Sequence, residues 1–264
     1  MQNYIITEEQ INKAEELGAC EESLEWLRKK PRTWLQLAEF SPGWIFWDSE
    51  KTKFCPSDVL DQIAKHVDWW IRKEAARHSN TSGETLRYLS NDVDAMIVSL
   101  VGCNPNTPIE ILTKFSNHTD WNVRKHLASN ASSPLEILEK LSNDNDVFVR
   151  TYVARNNNAS LEILEKLSKD SDYAVRCSVA SNKNTSEEIM KSLSKDLSSW
   201  VRSSTARYCS KEILETLVDD IDSCVRNAAL DNLSITSEML LKLMEDKDLS
   251  VREFAYRRYY YAIF

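Results

Sequence analysis

Arginines at a fixed interval are the residues of this chain most able to do chemistry together. Arg124, Arg150 and Arg176 stand 26 residues apart, and the same ruler falls on Arg72, on Val98 in place of arginine, and on Arg202. After a two-residue contraction it falls on Arg226 and then Arg252. Guanidinium groups spaced in this way either bind a repeating anion or close ion pairs inside the fold. An aspartate stands four residues before most of them (Asp68, Asp94, Asp120, Asp146, Asp172, Asp222, Asp248). One turn apart on a helix, each Arg is expected to pair with that Asp or with the corresponding residue of the adjacent unit, as a structural ladder. A basic stripe for an anionic partner is the alternative. Two breaks stand out: Val98 keeps Asp94 but lacks the guanidinium, and Ser198 replaces Asp while Arg202 remains. Each is expected to leave one charge without its regular partner.

A second, partial basic row comprises Arg77, Arg155, Arg207 and Arg257, five residues after the first. Aromatic residues gather just after the aspartates: Trp69, Trp70, Trp121, Phe148, Tyr173 and Trp200. Large rings at these positions fill gaps between short helices, or they line a groove in which bases or a peptide stack. Together with Tyr260 in the aromatic C-terminal segment, Trp69, Trp70, Trp121, Tyr173, Trp200, Arg77, Arg155, Arg207 and Arg257 form the candidate partner-binding set. No catalytic residue is assigned. The chain has no GxxxxGK[ST], GxGxxG, HExxH or GxSxG, and His66, His78, His118 and His126 lack metal-ligand spacing. Cys20, Cys55, Cys103, Cys177, Cys209 and Cys224 are scattered without a CxxC, which points to free thiols in a reducing compartment.

The elements that must position these side chains follow from the period. DWNVRKHLASNASSPLEILEKLSN from Asp120, DVFVRTYVARNNNASLEILEKLSK from Asp146 and DYAVRCSVASNKNTSEEIMKSLSK from Asp172 share DxxVRxxxAxN followed by an E-I-L-x-x-L stretch. Each unit is two short helices. Asp suits the N-cap of the first, and Asn at its end (Asn104, Asn130, Asn156, Asn182, Asn232) suits a left-handed C-cap or turn. The second opens on Ser or Thr, with Thr107-Pro108-Ile109-Glu110 and Ser133-Pro134-Leu135-Glu136 as capping boxes. Glu136 to Lys140, Glu162 to Lys166 and Glu187 to Lys191 add pairs four residues apart. Eight units register, and PSDVLDQIAK, with Leu60 and Ile63, marks a degenerate unit before them. One unit carries too few aliphatic side chains to offset its ordering entropy, so units must stack.

With that pattern established, the chain resembles the leucine-rich-repeat-variant family, related to HEAT-like repeats, over roughly residues 55 to 256. The resemblance implies an all-α fold, a right-handed α-solenoid of short two-helix repeats with a small helical N-terminal cap, and a role as a binding surface. Some members carry a cysteine-clustered iron–sulfur segment; this chain lacks the cluster, and no cofactor is expected. Bacterial or phage origin rests on the resemblance alone. Residues 1–50 are expected to form the cap, from three helices opening at Thr7-Glu8-Glu9-Gln10. Residues 51–250 form the solenoid, and residues 251–264 an aromatic cap in which Tyr259, Tyr260, Tyr261 and Phe264 fold over the last repeat.

The formal net charge of −8 repels phosphate backbones, the acidic polar start is unlike a secretory signal, and no apolar run is long enough to span a membrane. The expected function is a non-enzymatic, cytoplasmic scaffold or inhibitor that binds a protein partner on a curved face. Homo-oligomerisation through the C-terminal aromatic segment is a rival use of that segment. The alternative function is a HEAT-like nucleic-acid-binding protein or alkylpurine DNA glycosylase, disfavoured by the charge.

Overall fold

A computed structural model describes residues 5–45 and 54–261, with nineteen complete helices and, besides them, one antiparallel bridge between Ile5 and Thr33. The chain divides into two compact bodies, Met1–Ser133 and Pro134–Phe264.

The first body contains α1 (Glu8–Glu16), α2 (Glu21–Arg28), α3 (Trp34–Phe40), α4 (Ser57–Ile63), α5 (Trp69–Arg77), α6 (Gly83–Leu89), α7 (Ala95–Cys103), α8 (Ile109–Phe115) and α9 (Trp121–Ser129). The second contains α10 (Leu135–Leu141), α11 (Val147–Arg155), α12 (Leu161–Leu167), α13 (Tyr173–Ala180), α14 (Glu187–Leu193) and α15 (Ser199–Tyr208), then α16 (Lys211–Leu217), α17 (Ser223–Ala229), α18 (Ser237–Leu243) and α19 (Leu249–Tyr261). From α5 onward the odd helices are first helices and the even ones second helices. Within each body, first helices pack directly on the next first helix, far more closely than second helices approach one another.

The local signals act as their chemistry requires. Asp68, Asp94, Asp120, Asp146, Asp172 and Asp222 each accept a backbone N–H two residues on and so cap the first helices. Thr7 and Gln10 close the expected capping box, and Thr33 with Gln36 makes a second one. Each second helix from α8 onward buries one apolar triad, such as Ile163, Leu164 and Leu167 on α12, against Val149, Val153 and Ala154 of α11 or their equivalents, while α6 buries Thr85 with Leu86 and Leu89. Leu60 and Ile63 are fully buried on α4, in the manner of a second helix.

Several polar groups act differently from the sequence expectation. The arginines do not pair with the capping aspartates. Arg72, Arg150, Arg176, Arg202 and Arg226 instead grip Asp92, Asp170, Asp196, Asp220 and Asp246, which lie two residues before the next first-helix N-cap. Each of these aspartates also accepts the backbone N–H two residues on. Their arginines reach back as well, donating to two carbonyls of the loop before their own helix, as Arg150 does to Asp144 and Asn145. Arginine thus staples one loop to the next. Arg202 is therefore fully paired despite Ser198, and Asp94 is occupied in capping α7. Val98 has no orphaned counterpart either, because His118 stands where the matching aspartate would be. His118 Nδ1 accepts from Asp120 N as the aspartates do, and His66 does the same for Asp68 N.

The asparagines are not left-handed caps. Asn104 (φ −71°) and Asn130 (φ −69°) are extended, and their buried Nδ2 groups donate to carbonyls of the preceding repeat. Asn182 and Asn232 do likewise in the second body. The Oδ1 of each accepts the backbone N–H two residues on, so each also closes the expected turn. Thr107 and Ser133 close no capping boxes; their hydroxyls donate to the first-helix carbonyls of Val101 and Leu127, and Pro108 and Pro134 take the cap position. Lys166 turns from Glu162 to Ser142 and Asn143 of the preceding repeat.

Candidate binding groove

The two-residue contraction reshapes one repeat. It removes the asparagine position, so α15 runs on to Tyr208, and buried Cys209 ends it. Tyr208 is thereby left exposed at the end of a groove across the first helices of the second body, about 650 Å³ in volume. Its floor is made of small residues: Ala174, Cys177 and Ser178 on α13, Ser203 and Ser204 on α15, Asn227 and Ala228 on α17. Tyr173, Trp200, Tyr208 and Phe254 supply the aromatic rim, and Arg155, Arg207 and Asp231 the charges. Small floor residues let another chain approach the helices closely, and rings at the rim offer flat apolar area.

Of the candidate residues, Tyr173, Trp200, Arg155 and Arg207 meet in this groove. Trp200 is 66% exposed, which removes packing between helices as its main role. Arg207 is bound to Asp231 at 3.2 Å, both partly exposed, and Arg155 lies 5.8 Å over the ring of Tyr152. The five-residue-offset row is not a continuous basic stripe here, because Ser181 and Asp231 interrupt it.

The other candidates lie elsewhere. Trp69 and Trp70 sit edge to face at 5.1 Å in the first body, both exposed on one side. The Lys73 ammonium lies 3.3 Å over the Trp70 ring and 3.4 Å from the buried Glu74 carboxylate, so the chain's own cation already fills that aromatic site. Burial pushes the Glu74 carboxyl up, against the pull of Lys73 and Arg77. Arg77 ends α5 beside it, and Trp121 has the Lys125 ammonium 5.0 Å over its ring.

At the C-terminus, Tyr256 and Tyr260 stack at 6.4 Å along α19, and Arg257 is exposed. The aromatic segment continues α19 as one helix to Tyr261; Phe264 lies outside the described residues. Arg258 donates to the Asn232 carbonyl at 2.8 Å, taking the ladder position that asparagine holds elsewhere.

The groove floor carries none of the large or charged side chains by which a site is legible in the sequence. The signal was present as small residues recurring at the same repeat positions in α13, α15 and α17. Among the described residues no cluster of three metal-ligating side chains forms, and no helix is long and apolar enough to cross a membrane. All six cysteines are free thiols. Burial raises Cys177, and burial pushes the Cys209 thiol up to about 12.

Against known structures, the chain is similar to a leucine-rich repeat variant described as having a novel repetitive structural motif. The match has 29% identity and a TM-score of 0.54, over 76% of this chain and 81% of that one. The chain is an α-helical repeat protein. The solenoid is also similar to YibA of E. coli (16% identity, TM-score 0.48, 81% of this chain and 96% of that one). A designed armadillo repeat protein matches at 13% identity and a TM-score of 0.24, over 77% and 98% of the two chains. No protein-family model matches the solenoid, and no curated protein does so.

Proposed function

We propose that this solenoid is a non-enzymatic scaffold that holds a segment of a protein partner along the first-helix face of its second body. The observation that carries this reading is the groove on α13, α15 and α17, where a small-residue floor lies beneath an exposed aromatic rim. Aromatic anchors beside a close-approach floor are the composition of a binding hot spot. The interrupted arginine row and the −8 net charge count against a nucleic-acid partner.

The test compares proteins retained by the immobilised full chain with those retained by Trp200→Ala, by Tyr208→Ala, and by a control, Glu165→Ala, on α12. A partner held by the wild type and the control but lost by both groove variants supports the reading. Retention unaffected by the groove variants, or base excision from alkylated DNA by the wild type, overturns it.

A further inference from the structure

Arg202 and Arg207 stand on the same helix, α15, and are held in different ways. Arg202 engages both oxygens of Asp220 and two loop carbonyls, with Nε to Oδ2 at 2.7 Å, and both partners are largely buried. Arg207 makes a single contact, Nε to Asp231 Oδ2 at 3.2 Å, between two side chains that are close to half exposed. Its terminal nitrogens have no acceptor among the described residues. Arg155, exposed at the same groove, has no carboxylate partner there and lies 5.8 Å over the Tyr152 ring. An exposed, single-pronged ion pair is weak and exchanges readily for a better acceptor.

The charges that line the groove are two arginines and one aspartate, so its local sign is opposite to the −8 of the whole chain. A cleft of one sign focuses its field and draws in the opposite charge, whereas a basic segment is attracted to the acidic remainder of the surface. Guanidinium N–H groups form a fork that fits a carboxylate or a phosphate. A nucleic-acid backbone needs a run of cations to offset its charge, and Ser181 and Asp231 break the row. Asp231 itself demonstrates that a carboxylate fits on Arg207.

The rim adds the second half of the composition. Tyr173, Trp200 and Tyr208 are each at least half exposed and offer flat apolar faces. A segment of carboxylates alone would leave those rings in water, and one of rings alone would leave the arginines without an anion.

We infer that the groove takes an acidic segment of the partner that also carries aromatic side chains. One of its carboxylates displaces Asp231 from Arg207, another accepts from Arg155, and its rings lie against Tyr173, Trp200 and Tyr208. This rests on the reading of the face as a partner-binding site.

Calorimetry and tryptophan fluorescence on the full chain test it with four peptides of equal length: one built of Asp and Phe, one with Asn for Asp, one with Lys for Asp, and one with Gly for Phe. An oligothymidylate is the nucleic-acid probe. The Asp–Phe peptide should bind at least about tenfold more tightly than each of the others, and salt should weaken it. Arg207→Gln and Arg155→Gln, both at exposed positions, should each lower its affinity several-fold and leave that of the Asn–Phe peptide unchanged. Asp231→Asn should raise its affinity several-fold, because the segment then has no carboxylate to displace.

Equal or tighter binding of another peptide, no binding of the Asp–Phe peptide, indifference to the arginine substitutions, or unchanged or weaker binding on Asp231→Asn overturns the inference. If the Asn–Phe or Lys–Phe peptide alone binds and is released by Trp200→Ala, or if no peptide binds while a retained protein is still lost on Trp200→Ala, the inference falls and the partner-binding reading stands. If no peptide binds and groove substitutions change the retention of no protein, both fall. Both also fall if the oligothymidylate binds most tightly and is released by Trp200→Ala.

Discussion

The guanidinium of Arg176 holds both oxygens of Asp196, Nε to Oδ2 at 2.7 Å and Nη2 to Oδ1 at 2.9 Å, while Nη1 donates to the carbonyls of Asp170 and Ser171. One side chain thereby fixes the loops on either side of its repeat, and neither partner is well exposed.

Arg176→Ala leaves the Asp196 carboxylate and two loop carbonyls without their donor. The expected loss is about 3 kcal/mol of unfolding free energy, measured as a shift of the urea midpoint at unchanged slope. Arg176→Lys should recover only a fraction, since an ammonium cannot make the two-pronged contact. A loss within error of zero would show that the ladder adds nothing to stability.

The Val98 and His118 exchange predicts a thermodynamic coupling. Val98→Arg places a buried guanidinium with no anion at the matching position, and His118→Asp places a carboxylate there with no cation. Each alone should destabilise. The double variant should recover on the order of 2 kcal/mol relative to the sum of the two, as read from a double-mutant cycle of denaturation midpoints.

Acid should weaken the ladder, with a sign set by its carboxylates. Hydrogen bonds from Arg72 and Arg226 hold Asp92 and Asp246 below the usual aspartate range. For Asp170, Asp196 and Asp220, burial pushes upward, but the arginine and backbone hydrogen bonds outweigh it, and they too lie low. A depressed native value means stability that is full above the unfolded aspartate pKa, about 3.9, and lost as pH falls through the native values. Glu74, raised by burial, has the opposite sign: its contribution is full below the ordinary glutamate range and lost as pH rises through its native value. The urea midpoint should therefore drop steeply below about pH 4. Asp196→Asn should flatten that drop.

Thiol alkylation should report the repeat geometry. Cys20 and Cys224 are exposed, whereas Cys55 and Cys209 are buried, and the Cys209 thiol is pushed up to about 12. Iodoacetamide at neutral pH should label Cys20 and Cys224 first, with Cys209 modified only on unfolding. Mass mapping of labelled peptides checks the order. A groove ligand should slow Cys224 alone of the exposed pair, because Cys224 lines the groove and Cys20 does not.

What the sequence discloses is local. The period, the aspartate caps and the buried triads are set by spacing within one helix, so residue type and position suffice to find them. The partner of each arginine is tertiary. Asp170 and Asp172 are chemically alike and two residues apart, and only the packed loop decides that one meets Arg150 while the other caps α13. The joint replacement of Arg by Val98 and of Asp by His118 was a readable clue to the correct register. Asn182 closes the local turn that its neighbours suggest, through Asn184 N–H, but the donation of its amide to Ala154 and Asn156 is tertiary and leaves no local signal. The groove was hidden for another reason: its floor is defined by side chains that are small, and attention to rings and charges passes over them.

Both ladders obey one rule about where their bonds end. Measured from one capping position to the next, Arg72, Arg150, Arg176, Arg202 and Arg226 each belong to the same stretch of chain as their aspartates, as do Val98 and His118. The bonds that pass to the preceding stretch, from Asn182 to Ala154 and Asn156 or from Arg176 to Asp170 and Ser171, end on main-chain carbonyls, which every residue type supplies. Within the two ladders, side-chain matching is thus a private affair of each module; the side-chain pairs that do cross a joint, such as Lys166 with Asn143 and Arg207 with Asp231, lie outside the ladders. Such a chain can gain, lose or transpose whole modules by recombination without re-matching its ladders, so the groove-lining positions on α13, α15 and α17 can vary independently of the frame that carries them.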